Sequence, residues 1–397
     1  MKLKDLIESN NTGLDAIKRA PIVDYDTGIR CIRIGDISNN RPFNEWGYTI
    51  VDDVNYNKFQ LKTGDIIVAR TGATIGVNKY IDNDYKSVYN NGLIRLRVNK
   101  DNNPKYVYYL LQSNNYKRFI KTISMGTSTQ PNMQMNDLLN LEVPEFDRNT
   151  QDKIVKILGK IDDKIKLNNE INNNLYDEMQ TLYNEWFKLF SPFKNGKFKT
   201  TELGDIPDKF IISDIYSIAN IIYGAPFKSK LFNEEKNGNP IIRIRDLKEQ
   251  SLKTYTPEIH PKGYLLQKGD IAVGMDGEFK PYFWGNEEAW LNQRVCVFEN
   301  KRKKGKAFLY YTIKPLLDFI EKTEVATTVI HIGKNDFDNF KIILPNEEIM
   351  SKFDEITDPM VNQIIQNMSQ NHLLEKLRDT LLPKLMNGEI NLDNIEI

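Results

Sequence analysis

Hydrophobic positions follow two rhythms along this chain. From Ile154 they fall at 154, 158, 161 and 165, then at 175, 179, 182, 186 and 189. That alternation of four and three predicts a helix presenting a seam to a second helix. It returns at Ile349, Phe353, Ile356 and Met360, then at Leu374, Leu377 and Leu381. Both middles are polar, with Asn168 and Asn172 in one and Gln363, Asn367 and Gln370 in the other. An antiparallel pairing sets polar middle against polar middle. The alternative is a seam drifting toward Leu167 and Ile171 and toward Ile364, Ile365 and Met368, with the amides in water. Those five apolar residues are also the ones assigned to partner binding. Pro359 predicts a kink or the effective start of the second helix, and Gly388 a C-cap.

The second rhythm is short. Runs rich in β-branched residues and bounded by Gly, Asp and Asn predict strands: IIVA, LIRLRV, IIRI, DIAVG and RVCVF. KYVYYLLQSNNYKRFIKTI and KAFLYYTIKPLLDFIEK each predict a helix. These runs come in pairs. CIRIGDI matches IIRIRDL, LKTGDIIVARTG matches LQKGDIAVGMDG, and NNGLIRL matches NQRVCVF more loosely. The offset drifts from 210 (Cys31 to Ile241) to 199 (Ser128 to Thr327), as unequal loop insertions require. One half is a copy of the other. The expected fold is α+β: two mixed α/β domains in tandem, separated by two long helices forming an antiparallel coiled coil. The boundaries are 1–148, 149–190, 191–345 and 346–397.

Composition narrows the class without naming a ligand. The 54 basic residues balance 54 acidic ones, so a nucleic-acid partner depends on where the basic groups gather. Two cysteines, Cys31 and Cys296, lie in apolar strand-like runs and read as core residues of a chain kept in a reducing, cytoplasmic compartment. The start lacks the apolar stretch of a signal peptide, and no apolar run reaches the length of a membrane span.

Enzyme chemistry finds little support. There is no GxxxxGK[ST] loop, no glycine-rich dinucleotide turn and no Asn/Asp-Pro-Pro-aromatic turn. His260, His331 and His372 are far apart, without metal-ligand spacing. One signal competes: Asp270 followed by Glu278 and Lys280 resembles the acid and ExK triplet with which many nucleases hold a metal. The aligned Gly64-Asp65-Ile66 has no such triplet after it, which favours a strand-entry turn.

Binding chemistry is better represented. Arg33, Arg70, Lys79, Arg95 and Arg97 fall on the strands and loops of the first half; Arg243, Arg245, Lys248, Lys280 and Arg294 do so in the second. Between them stand amides and hydroxyls, the groups that read base edges. In the first half these are Thr71, Thr74, Asn90, Asn91, Ser128, Thr129, Gln130, Asn132 and Gln134. In the second they are Asn292, Gln293, Thr327 and Thr328, with His331 and Lys334 beside them. Tyr282, with Phe283 and Trp284, offers a surface for stacking or wedging if it is not core. The run KRKKGK reads as a solvated hairpin. A coiled-coil adaptor without sequence preference is a third class.

Nearly the whole chain resembles the DNA specificity (S) subunit of type I restriction–modification systems. The most specific elements are GTSTQPNMQMNDLLNLEVPEFDRNTQDKIVKIL and the tail LLEKLRDTLLPKLMNGEI; LGDIPDKF, GDIIVARTG and VGMDGEFKPYFWGNEEAWLNQRVCVF occur in the expected order. The resemblance implies two target-recognition domains, each reading half of a bipartite asymmetric double-stranded DNA site. It also implies helices that dock methyltransferase (M) subunits, and no catalysis or cofactor in this chain. S-adenosylmethionine, ATP and Mg would serve the M and restriction (R) subunits. The sequence departs from the family pattern at Met275, where Arg70 stands in the first half, and at VATTVIHIG, which replaces GTSTQP.

Overall fold

The computed structural model describes residues 1–125, 132–323 and 331–392. It divides into unit 1 (Met1–Asp162 with Glu375–Ile397) and unit 2 (Asp163–Leu374).

Unit 1 is organised around the strand Ile66–Ala69. Every residue of it is buried, and alternate side chains serve different cores. Ile66 and Val68 join Leu96, Tyr106, Val107 and Leu110 on one face, while Ile67 and Ala69 join Cys31, Trp46, Val88 and Leu93 on the other. This double burial is why the run IIVA carries no polar alternation. Its sheet runs in the order Ile7–Thr12, Leu93–Val98, Ile66–Ala69, Asn78–Tyr80, all antiparallel. In a second sheet, Arg30–Ile32 pairs in parallel with Ser87–Tyr89 and antiparallel with Gly47–Thr49. The expected single helix over 105–123 is two, Pro104–Leu110 and Asn114–Met125. Asn103 caps the first through the Lys105 and Tyr106 amides, and Ser113 bonds its side chain back to the Leu110 carbonyl at the break.

Unit 2 repeats the plan. Ala219–Tyr223, Val295–Asn300, Ile271–Gly274 and Pro281–Phe283 form an antiparallel sheet in the same order. Asn239–Ile242 pairs in parallel with Ala289–Leu291. A helix, Lys306–Thr323, covers the sheet. Cys31 and Cys296 are both fully buried and unpaired.

Each long helix has 40 residues, Arg148–Phe187 and Glu347–Met386. Within unit 2 they are joined by amides. Asn168 Nδ2 donates to Gln370 Oε1 and Asn371 Oδ1, both at 2.8 Å, and Asn367 Nδ2 donates to Asn172 Oδ1 at 2.8 Å. The pairs 168–371 and 172–367 advance in opposite directions, so the helices run antiparallel here. Asn168, Asn172, Asn367 and Asn371 are buried, whereas Gln363 and Gln370 are exposed, so the alternative with amides in water holds for the two glutamines and fails for the asparagines. Leu167 is 48% exposed, while Ile364 is fully buried in the core and Ile365, Met368 and Ile171 are half-buried. Three of the residues assigned to partner binding, Ile364, Ile365 and Met368, thus pack inward.

The second helix departs from the expected frame. Ile356 and Leu377 are exposed, whereas Thr357, Val361 and Asn371 are buried. An α-helix of 3.6 residues per turn drifts about 20° per heptad against a strict 3.5 repeat, enough to move the seam by one position. Pro359 does not start the second helix, which begins at Glu347. The helix continues through it, held by buried Phe353, Val361 and Ile364 on either side. Gly388 lies just past the helix end with φ of 70° and donates to the Leu385 carbonyl, as a C-cap glycine does.

Candidate nucleic-acid interface

In unit 1 four strands end together. Thr12 and Ala69 are register partners of Ile94 and Leu93, at the start of Leu93–Val98, and Ile32 pairs with Tyr89. Backbone hydrogen bonds tie the segments at this end together. Leu14 donates its amide to the Tyr89 carbonyl (2.9 Å), Asn90 to Ile32 (3.3 Å), Arg70 to Gly92 (3.0 Å) and Met133 to Arg70 (2.8 Å). The approach is close enough to require glycine at 13, where a Cβ would lie 2.2 Å from the Asn90 carbonyl oxygen. On this scaffold the Arg70 guanidinium donates to Asn132 Oδ1 at 3.2 and 3.3 Å and to Thr12 Oγ1 at 3.4 Å. Thr71 is bridged to Asn132, Thr74 sits in the following turn, and Asn91 is exposed. Asn90 Oδ1 is buried and has no hydrogen-bond partner among the described residues.

Unit 2 builds the same end bond for bond. Ala225 donates to Leu291 (3.0 Å), Asn292 to Ile242 (3.1 Å), Met275 to Arg294 (2.9 Å) and Ile332 to Met275 (3.0 Å). Gly224 is pinned as Gly13 is, its Cβ position 2.0 Å from the Asn292 carbonyl oxygen. Asp276 is bridged to His331, as Thr71 is to Asn132. The side chains differ. Asp276 Oδ1 accepts from His331 Nδ1 at 2.6 Å, and the Arg294 guanidinium lies 3.5 Å from Asp276 Oδ2 and 3.2 Å from the His331 ring. Asn292, Gln293, Arg294 and His331 therefore come together, with the last three exposed. Asp276, Gly13, Gly224 and Thr12 were not singled out from sequence. The acid in VGMDG, at the place of Thr71, was the available signal for Asp276.

Other candidates are held elsewhere. Arg95 is 4% exposed and donates to the Lys58 and Gln60 carbonyls, and Arg97 grips Asp65 with two bonds of 2.8 Å. Both serve the fold. Arg33 and Arg243 each precede a short helix whose Asp36 or Asp246 accepts their own backbone amide. Arg243 is further tied to Thr254 Oγ1 at 2.6 Å, while Arg33 is 40% exposed. Lys79 reaches Asn40 Oδ1, and burial holds its ammonium below its ordinary pKa. Arg245, Lys248, Gln134 and Lys334 are exposed. Tyr282 is half-buried against a core that includes Trp284, and Phe283 stacks on Tyr310, so neither Phe283 nor Trp284 is a free wedge. Ser128, Thr129, Gln130, Thr327 and Thr328 lie outside the described residues. The run KRKKGK is not a solvated hairpin throughout. Arg302 pairs with Asp354 at 2.7 Å and Glu347 at 2.6 Å.

The acid–ExK constellation does not converge. Asp270 accepts from Tyr264 Oη (2.9 Å) and the Gln267 amide (2.7 Å), as Asp65 accepts from the Lys62 amide (2.9 Å). Burial raises its carboxyl above the ordinary pKa. Glu278 pairs with Lys280 beyond the far end of Ile271–Gly274, roughly 13 Å of strand away. The shared geometry of Asp65 and Asp270 is that of a strand-entry turn.

Comparison with known proteins agrees with the duplicated architecture. The family model for the type I restriction modification DNA specificity domain matches residues 1–176 and again 207–371. The type I restriction enzyme MjaIX specificity subunit of Methanocaldococcus jannaschii is 27% identical over 307 residues, covering 73% of this chain and 70% of that protein. The HindI specificity subunit of Haemophilus influenzae is 24% identical over 433 aligned positions, covering 90% and 94%. In fold, the chain is similar to the crystal structure of the type I S subunit from M. genitalium, with a TM-score of 0.56, 18% identity, and 97% and 95% of the two chains covered. No helix among the described residues is long and apolar enough to cross a membrane. The chain belongs to the family of type I restriction–modification DNA specificity subunits.

Proposed function

We propose that each unit reads one half of a bipartite, asymmetric double-stranded DNA target through the strand-end surface described above. The single observation that carries this is the duplication of that surface, backbone bond for backbone bond, with different side chains on it. Equal scaffolds with unequal side chains suit two unlike half-sites. The readers in unit 1 are Arg70, Thr71, Thr74, Asn90, Asn91 and Asn132, with Ser128, Thr129, Gln130 and Gln134 on the adjoining stretch. In unit 2 they are Asn292, Gln293, Arg294 and His331, with Thr327, Thr328 and Lys334. Exposed Arg245, Lys248 and Lys280 add phosphate attraction.

The long helices act as an antiparallel coiled coil that fixes the gap and docks two methyltransferase subunits, through which restriction subunits join. At 1.5 Å per residue each 40-residue helix is about 60 Å long, more than the roughly 34 Å of one DNA turn. The chain itself performs no catalytic step and works in the cytoplasm. S-adenosylmethionine, ATP and Mg belong to its partners.

The test is methylome sequencing of cells carrying this chain with its methyltransferase subunit, against the methyltransferase alone. A new motif of two short halves around a fixed gap is expected. Full assembly with no new motif would leave the chain a scaffold and sink the reading.

A further inference from the structure

We propose that Arg294 is the base-reading guanidinium of unit 2, the counterpart of Arg70 carried on the opposite strand, and that it selects a guanine in its half-site. The inference rests on the reading of both units as DNA-recognition domains.

The backbone bonds fix which positions correspond. Arg70 donates to the Gly92 carbonyl, and Met275 donates to the Arg294 carbonyl. Position 70 thus matches 275, and 92 matches 294. Unit 1 has Arg and Gly at these places; unit 2 has Met and Arg. The arginine has changed strands.

The exchange has a packing cause. In unit 1 the strand ends in Ala69, and Ile34 leans over Gly92, where a Cβ would lie 2.7 Å from Ile34 Cδ1. A side chain at 92 requires Ile34 to move aside. In unit 2 the matching strand ends in Gly274, and the matching isoleucine, Ile244, sits over that glycine instead, 3.0 Å from its Cβ position. Position 294 is thereby open to a long side chain, while Met275 is buried at 5% exposure and fills the core.

Both guanidinium groups reach the same neighbour. Arg70 contacts Asn132, and Arg294 contacts His331, the residue in the matching bridge. Arg294 is also steadied by Asp276 and keeps 53% of its side chain exposed. A guanidinium braced on one side presents donors on the other in a fixed plane. Guanine offers two acceptors, N7 and O6, in the matching geometry.

The experiment compares methylomes of wild type, R294A, R294K and R70A, each assembled with the methyltransferase subunits. R294A should make one guanine of one half-site degenerate, with discrimination falling on the order of ten- to a hundredfold, and leave the other half intact. R70A should relax the other half. R294K keeps the charge but not the planar pair of donors, so it should fail to restore the guanine, and it carries the test if the alanine variant does not assemble. An unchanged motif in R294A overturns the assignment. So does a uniform loss at every site that R294K rescues, the mark of a phosphate contact. A wild type without any motif overturns the reading of the units and this assignment with it. A wild-type motif indifferent to Arg294 overturns the assignment alone.

Discussion

Arg302 stands in the most basic run of the chain yet faces inward, with 21% of its side chain exposed and its guanidinium on a buried aspartate, Asp354. Charge density along the sequence does not distinguish a cation aimed at a ligand from one aimed at an acid far along the chain. Arg95, Arg97 and Arg243 were obscured in the same way, because their partners are carbonyls, an acid and a hydroxyl that only folding brings near. R302A should therefore destabilise unit 2 by about 3–5 kcal/mol near neutral pH, because it leaves Asp354 charged and unpaired in the core. Burial already raises the Asp354 carboxyl, and Arg302 pulls it back down. Without Arg302 the folded pKa rises further above the unfolded one. The deficit is then full above that raised pKa and shrinks as acidification protonates the buried acid. Urea unfolding of R302A across pH reads this; a deficit growing toward acid pH would contradict it. Glycines at the strand ends offer a sharper contrast. G13A drives a methyl into the Asn90 carbonyl and should cost at least about 2 kcal/mol, whereas G35A, with open space around it, should be nearly neutral.

At the scale of elements, the strands were legible because burial on both faces leaves unbroken apolar runs such as IIVA and VCVF. The long helices were legible as helices and their polar middles as a match. The frame of the second escaped, since drift of the seam depends on the partner surface, and in the first the last expected position, Leu189, lies past the helix end and is exposed. The amide layer carries its own prediction. Asn168 Nδ2 bridges exposed Gln370 and buried Asn371, so N168A orphans the buried Asn371 acceptor and should lose about 1–3 kcal/mol. Replacing Asn168 and Asn371 together by leucine should recover that stability or exceed it, while loosening the register that paired amides enforce. Denaturant unfolding of the single and double variants measures the first point. A double variant less stable than N168A would show that the layer is not a register device bought at a cost in stability.

For the whole molecule, duplication was readable as paired motifs with a drifting offset, and the bonds at the two strand ends give it a physical meaning. What pairing of motifs could not show is that equivalent positions need not carry equivalent side chains. Met275 looks like a lost arginine until Gly274 and Arg294 are considered with it. The helices lend the proposed reading its most demanding test. Inserting one heptad into each, by repeating residues 165–171 and 368–374, adds about 10 Å to both while keeping the antiparallel frame through 168–371. Neither strand-end surface is touched, so both half-sites should survive unaltered. Their separation should widen by about three base pairs at roughly 3.4 Å each. Inserting four residues instead rotates one side of the seam out of register, and assembly with the methyltransferase should fail. Methylome sequencing distinguishes the outcomes. A heptad insertion that assembles, methylates and keeps the original gap would show that something other than the helices sets the spacing.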